Sequence, residues 1–135
     1  MNKYIVGINQ PWLRDRYGTD FSYNQFSGVQ IWGYPYDKPV NYDFTKPDPN
    51  PPKPLVQEDP NILATTFSEF ERIDIVRIWL FERLEGLVFD QNNNLLGIHP
   101  SMIESIKHLL DFAQARHFQV YFSLLNGWDG RQEVP

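Results

Sequence analysis

Arg77 and Trp79 stand two residues apart in an apolar stretch, so a shared strand would turn a guanidinium and an indole to the same side. A cation within such a stretch needs a partner. Two readings stand side by side: an arginine serving a binding or active site, or an ion pair with a structural carboxylate such as Asp74 or Glu82. Trp12, Trp32, Trp79 and Trp128 each fall near the end of an apolar run or in the loop after it. Their flat rings can stack on sugar rings, with core packing the competing reading for Trp79. Glu82 and Glu85 lie three apart and could be cast as an acid–base pair, but their setting reads as a solvated loop. His99, His108 and His117 recur every nine residues, a spacing that does not converge on a metal; His117 reads as a cation at a helix end. Asp90-x-Asn92-x-Asn94 begins like a calcium loop, yet Leu95 and Ser101 occupy the positions that need Gly and Glu. No phosphate-cradling glycine loop and no Gly-x-Ser-x-Gly elbow occurs. Neither a metal nor a cofactor is expected.

The elements that must position these residues follow from pattern. Residues 4–8 read as a short buried strand, closed by Asn9-Gln10-Pro11. Eight of the eleven prolines fall between Pro35 and Pro60, which rules out helix or inner strand around residues 48–54 and predicts an extended path there. The sequence from 20 to 62 thus reads as a long loop insertion; its many rings, Tyr23, Phe26, Trp32, Tyr34, Tyr36, Tyr42 and Phe44 among them, disfavour plain disorder. Thr66 and Glu69 have capping-box spacing and predict a short helix over about 67–72. Residues 73–81 form the strongest strand, nearly all apolar, as for a parallel strand covered on both faces. Residues 87–90 and 95–98 flank an Asn-rich turn and predict a hairpin. Pro100 suits a first helical position, Ser101 and Glu104 offer a second capping box, and Met102, Ile103, Ile106, Leu109, Leu110 and Ala113 keep a 3.6-residue rhythm. A third strand is predicted over 120–125. Strand, helix, strand, helix, strand implies a parallel α/β sheet.

Bulk properties narrow the partners. The 135 residues suit one domain, and a net charge of −5 argues against nucleic acid and against an anionic membrane surface. There are no cysteines, so no disulfide or thiolate site is expected. No apolar run approaches the ~20 residues of a membrane span, and the first residues lack the pattern of a signal peptide; the expected location is the cytoplasm.

Three stretches together resemble the cellulase- and mannanase-like glycoside hydrolases of the large retaining clan. Gly7-Ile8-Asn9-Gln10-Pro11-Trp12 with Gly18-Thr19-Asp20-Phe21 resembles the family's first strand and loop. Val76-Arg77-Ile78-Trp79-Leu80-Phe81 with Gly86-Leu87-Val88-Phe89-Asp90 resembles the second strand and loop, and residues 109–125 resemble the second helix and third strand. The resemblance implies a partial (β/α)₈ barrel: about three parallel strands, two helices and the long first loop, in a single unit over residues 1–135. It implies a poly- or oligosaccharide substrate, bound at the C-terminal ends of the strands. Arg77 matches the family's arginine beneath the nucleophile, Asn9 a polar residue ending the first strand, and Asn126 and Trp128 a loop that lines the sugar site. Asn9, Trp12, Arg77, Trp79, Asn126 and Trp128 are therefore the expected substrate-binding residues. Where the family often ends its third strand in histidine, this chain reads Ser123-Leu124-Leu125, which marks a divergent relative. The family's two catalytic glutamates, ~5 Å apart for retention, close its fourth and seventh strands. Neither falls in this sequence, so the expectation is an N-terminal fragment without hydrolytic activity of its own. A non-catalytic carbohydrate-binding module, or one half of a barrel completed by a second chain, are the alternatives.

Overall fold

The computed structural model describes residues 4–13, 19–23, 53–92 and 94–124. The fold is mixed α/β. Three parallel strands, β1 (Gly7–Asn9), β2 (Ile75–Leu80) and β5 (Gln119–Leu124), form one sheet in the order β1-β2-β5. A separate antiparallel hairpin pairs β3 (Leu87–Phe89) with β4 (Leu95–Ile98). Two short helices, α1 (Leu55–Glu58) and α2 (Ile62–Phe67), lie between β1 and β2; the long helix α3 (Pro100–Arg116) leads into β5.

Parallel pairing is set at the start of β2. Asp74 accepts a hydrogen bond from the Val6 amide and pairs with Arg72, both at 2.8 Å, while Arg72 also donates to the Tyr4 carbonyl. Gly7 is thereby brought opposite Ile75 and Asn9 opposite Arg77. Beyond Asn9 the pairing continues, with the Gln10 amide donating to Arg77 and the Trp79 amide to Pro11. The first strand is shorter than its sequence pattern suggests, and it is not buried: Tyr4 and Ile5 lie outside it, largely exposed, because only the stretch after the Arg72–Asp74 clamp meets β2.

Alternation decides the faces. Along β2, Val76, Ile78 and Leu80 are buried and Arg77 is exposed. The buried side packs against Leu55 and Val56 of α1, Ile62, Leu63 and Phe67 of α2, and Met102, Leu109 and Ala113 of α3. Phe67, Phe112 and Phe118 close that core with ring centroids 5.5 to 6.2 Å apart. Among the described residues, helices cover one face of the strand and the other carries Arg77.

Helix boundaries depart from the pattern where tertiary contacts outcompete local capping. The helix expected over 67–72 instead ends at Phe67. Thr66 lies inside it and donates to the Leu13 carbonyl rather than capping Glu69. A start at Ile62 buries Ile62, Leu63 and Phe67 together, which a start at Phe67 would forgo. The prolines do not prevent α1, because Pro54 stands just ahead of its first residue, where no amide is needed. α3 begins at Pro100 as expected, but the cap is His99, whose Nδ1 accepts from the Ser101 amide. With Nδ1 accepting, the Ser101 hydroxyl donates to the same nitrogen at 2.8 Å and accepts from Ser22 at 2.7 Å. His117 ends the helix in a left-handed conformation, φ 61°. The apolar rhythm is only partly core: Met102, Leu109 and Ala113 are buried, Ile103 and Leu110 face solvent. No described helix is long and apolar enough to cross a membrane.

The turn after β2 is tight. Phe81, Leu84 and Gly86 all adopt positive φ, at 60°, 65° and 72°. At Gly86 a Cβ would sit 2.7 Å from Met102 Cε and 3.1 Å from Ser22 Cβ, and the Gly86 amide and carbonyl bond Tyr23 and His99. Gly86→Ala combines a strained backbone with a clash against a fully buried methionine. We expect it to cost about 1–3 kcal/mol. Urea denaturation checks this, and an unchanged midpoint would refute the close approach.

Candidate functional site

The open sheet face gathers four of the six residues singled out in the sequence. In strand register, Asn9, Arg77 and Tyr121 form one row across β1, β2 and β5, and Trp79 and Ser123 sit together in the next. All five lie on the face away from the helices. Arg77 Nε donates to Ser123 Oγ at 2.7 Å, and its guanidinium carbon lies 5.5 Å from the centre of the Trp79 ring. Arg77 therefore makes neither ion pair raised as its structural alternative: Asp74 is turned to Arg72 and Val6, and Glu82 is buried. Trp12 stands edge-on to Trp79, ring centroids 6.2 Å apart at 76°, and remains 39% exposed. Trp79 is half-buried, with its indole N–H buried and without an acceptor among the described residues. It belongs to the open face rather than to the helix-side core. Asn126 and Trp128 lie outside the described residues, as do Trp32 and the ring-rich stretch beyond Tyr23.

The position of Trp12 rests on polar groups beneath it. Gln10 Nε2 donates to the Trp12 carbonyl at 2.7 Å. The next amide, Leu13, donates to the buried Asp20 carboxylate at 3.0 Å, and the Leu13 carbonyl accepts from Thr66. One residue on from Asp20, the amides of Phe21 and Ser22 both donate to Glu85 Oε1. The loop after β1 is thus tied to the turn after β2 by a side chain only 1% exposed.

Glu82 and Glu85 are consequently not the solvated pair their neighbourhood suggests. Both are buried, Glu82 within a single 3₁₀ turn over Glu82–Leu84 and Glu85 just after it. The left-handed residues at 81, 84 and 86 fold the turn back on itself and send Glu85 inward, where two amides await a partner. Burial pushes the Glu85 carboxyl well above the ordinary carboxylate range, and the nearby Asp20 adds to this. The Ser22 and Phe21 amides pull in the opposite direction without cancelling it. The sequence carries one trace of this arrangement: a glycine just after Glu85, where the chain must turn under steric constraint.

Asp90 spends its carboxylate on its own turn, accepting from the Asn92 and Asn94 amides and from Asn94 Nδ2 at 2.8 to 2.9 Å. The Asn94 side-chain bond, above all, holds its pKa below the usual value. No group of three or more metal-ligating side chains occurs among the described residues. Searches against protein-family models, curated proteins and solved structures find no match to this chain.

The Glu85 latch gives a sign for pH dependence. A carboxyl whose pKa is raised by folding favours the fold while protonated. Its contribution is full below the ordinary carboxylate pKa and is lost as pH climbs through the raised value. Glu85→Gln imitates the neutral acid and keeps the accepting oxygen, so we expect near-native stability and a flatter pH profile. Glu85→Ala strands two buried amides and should cost about 1–3 kcal/mol for each. Urea midpoints measured from acid to neutral pH distinguish the variants; a Gln variant with the unaltered chain's pH slope would show that Glu85 does not titrate as described.

Proposed function

We propose that this chain is the sugar-binding first part of a glycosidase-like (β/α)₈ barrel, and that its open sheet face takes a β-linked poly- or oligosaccharide without cleaving it. The observation that carries this reading is the combined surface of Asn9, Arg77 and Tyr121 in one row beside the Trp12–Trp79 pair. Carbohydrate recognition asks for such a combination: apolar ring faces for the C–H side of a pyranose, and fixed donors and acceptors for its hydroxyls. The three-stranded parallel sheet with helices on one side is compatible with part of a barrel, in which the open face would look inward. Trp12 and Trp79 lie toward the C-terminal ends of the strands, where barrel enzymes hold substrate, and the Asn9–Arg77–Tyr121 row crosses the strands just before them.

Hydrolysis by the retaining route needs two carboxyl groups about 5 Å apart flanking the glycosidic oxygen. The side chains of β1, β2 and β5 on this face are Asn9, Ile75, Arg77, Trp79, Gln119, Tyr121 and Ser123, none of them acidic. Glu82 and Glu85 are both buried, and Glu85 is committed to backbone amides. Among the described residues the open face therefore offers no carboxylate pair, which supports binding without turnover.

Isothermal titration of the whole chain with soluble β-glucan and β-mannan oligosaccharides tests this. A Kd of about 1 mM or tighter is expected for at least one of them, equivalent to about −4 kcal/mol. Trp12→Ala should weaken it at least tenfold while leaving the thermal midpoint close to that of the unaltered chain, since the ring is part-exposed. Absence of heat across a broad glycan panel would remove the proposal.

A further inference from the structure

Ser22 is the junction where the loop after β1 meets two other elements. Its amide, with that of Phe21, donates to Glu85 Oε1, and its hydroxyl donates to Ser101 Oγ, which in turn reaches His99 Nδ1 at the start of α3. The Gly86 amide and carbonyl close the same junction on Tyr23 and His99. From the other side, the α1 amides of Leu55 and Val56 donate to the Thr19 and Asp20 carbonyls at 3.0 Å. The Asp20 carboxylate accepts from the amide of Leu13, the residue after Trp12. The loop is thus clamped between α1 and the turn after β2, and the clamp on the β2 side is a titratable side chain. Glu85 is 1% exposed. An ionised carboxylate there is cut off from water, and two amide bonds on one oxygen do not replace a hydration shell. Among the described residues, the titratable groups acting on it are Asp20 from the loop and Glu82 from its own turn; both are carboxyls and both oppose its ionisation. His99 and Tyr23 stand across the junction, ring centroids 5.2 Å apart. The turn itself is poised: Phe81 and Leu84 hold left-handed conformations, which a non-glycine residue keeps only while surrounding contacts enforce it.

From this we infer that Glu85 is a proton-operated latch on the sugar seat: as the neutral acid it fixes the loop after β1, and with it Trp12, and loss of its proton loosens that loop and weakens the hold on the glycan. A negative charge inside the turn draws water in, and the support under Phe21 and Ser22 gives way. Burial and the nearby Asp20 hold the Glu85 carboxyl neutral beyond the ordinary carboxylate range, so the latch is closed in acid and opens as pH climbs. Glu85 touches no ligand in this arrangement; it is a positioning residue that acts through Trp12. The effect on affinity rests on the sugar-binding reading of the open face, whereas the movement of Trp12 does not.

The deciding experiment follows the full chain, labelled with 5-fluorotryptophan, by fluorine NMR from about pH 4 to about pH 9, with the Trp12 signal assigned by Trp12→Phe. That signal should move in one step whose midpoint lies above the ordinary carboxylate range. Glu85→Gln keeps an accepting oxygen and cannot ionise, so it should abolish the step. Asp20→Asn should bring the midpoint down, because a neighbouring negative charge is gone. A side chain with a merely structural role would produce neither the step nor the shift of its midpoint. Calorimetric titration with soluble β-glucan and β-mannan oligosaccharides should show affinity falling about fivefold across the same step in the unaltered chain, and staying level in Glu85→Gln. A Trp12 signal without a step, a step that survives Glu85→Gln, or a midpoint that Asp20→Asn leaves in place overturns the inference. Affinity that holds level across the step in the unaltered chain overturns the regulation of the seat. A step at Trp12 with no oligosaccharide bound at any pH supports the latch and removes the sugar-binding reading. Should Glu85→Gln fail to fold, the midpoint in Asp20→Asn still decides.

Discussion

Successive side chains of a strand point to opposite faces, and in this protein that period of two on β2 divides core from surface. Val76, Ile78 and Leu80 enter the helix-side core, while Arg77 and Trp79 occupy the other face. A shift of one residue in register would drive a guanidinium into the cluster of Ile62, Leu63, Met102 and Leu109, at the cost of burying an unpaired charge. The same shift would expose three apolar side chains. The Arg72–Asp74 clamp on β1 and the full-length parallel pairing with β5 therefore hold both the core and the row Asn9–Arg77–Tyr121.

A second constraint acts between loops. Backbone amides removed from water must find acceptors, and those of Phe21, Ser22 and Leu13 find them in the side chains of Glu85 and Asp20. Placing a carboxyl group among apolar neighbours is costly, and Glu85 meets that cost partly by favouring its protonated form. The return is geometric: the loop after β1 is anchored to the turn after β2, and Trp12 is delivered beside Trp79. The serine pair Ser22–Ser101 and the His99 cap extend the same anchorage to the start of α3. The aromatic surface of the open face is thus supported by a polar layer inside the fold.

Much of the scaffold was legible in the chain's pattern. The three strands, their parallel order, the hairpin around the asparagines and the long helix opening at Pro100 follow from apolar runs, turn residues and helical periodicity. The pairing of Arg77 with Trp79 on one face follows from their spacing alone. Less legible were the helix at Ile62–Phe67, displaced from its local capping signal by the gain from burying three apolar side chains, and the shortness of β1, limited by where its partner begins. Among the described residues β2 is covered by helices on one side only, which the sequence hid because Ile75 and Trp79 make the other side look as apolar as the buried one.

Sequence by itself determined which segments are strands or helices and which residue types share a strand face, because these depend on interactions between near neighbours along the chain. Only tertiary structure decided the state of Glu82 and Glu85, the acceptor for the Leu13 amide and the use of Ser123 to hold Arg77. Two of these join residues far apart in sequence, Phe21 with Glu85 and Arg77 with Ser123, and the third closes the loop from Leu13 to Asp20. Whether a carboxylate is solvated or buried, and whether a cation has a counter-charge, depends on what the rest of the fold places around it. No local pattern encodes that.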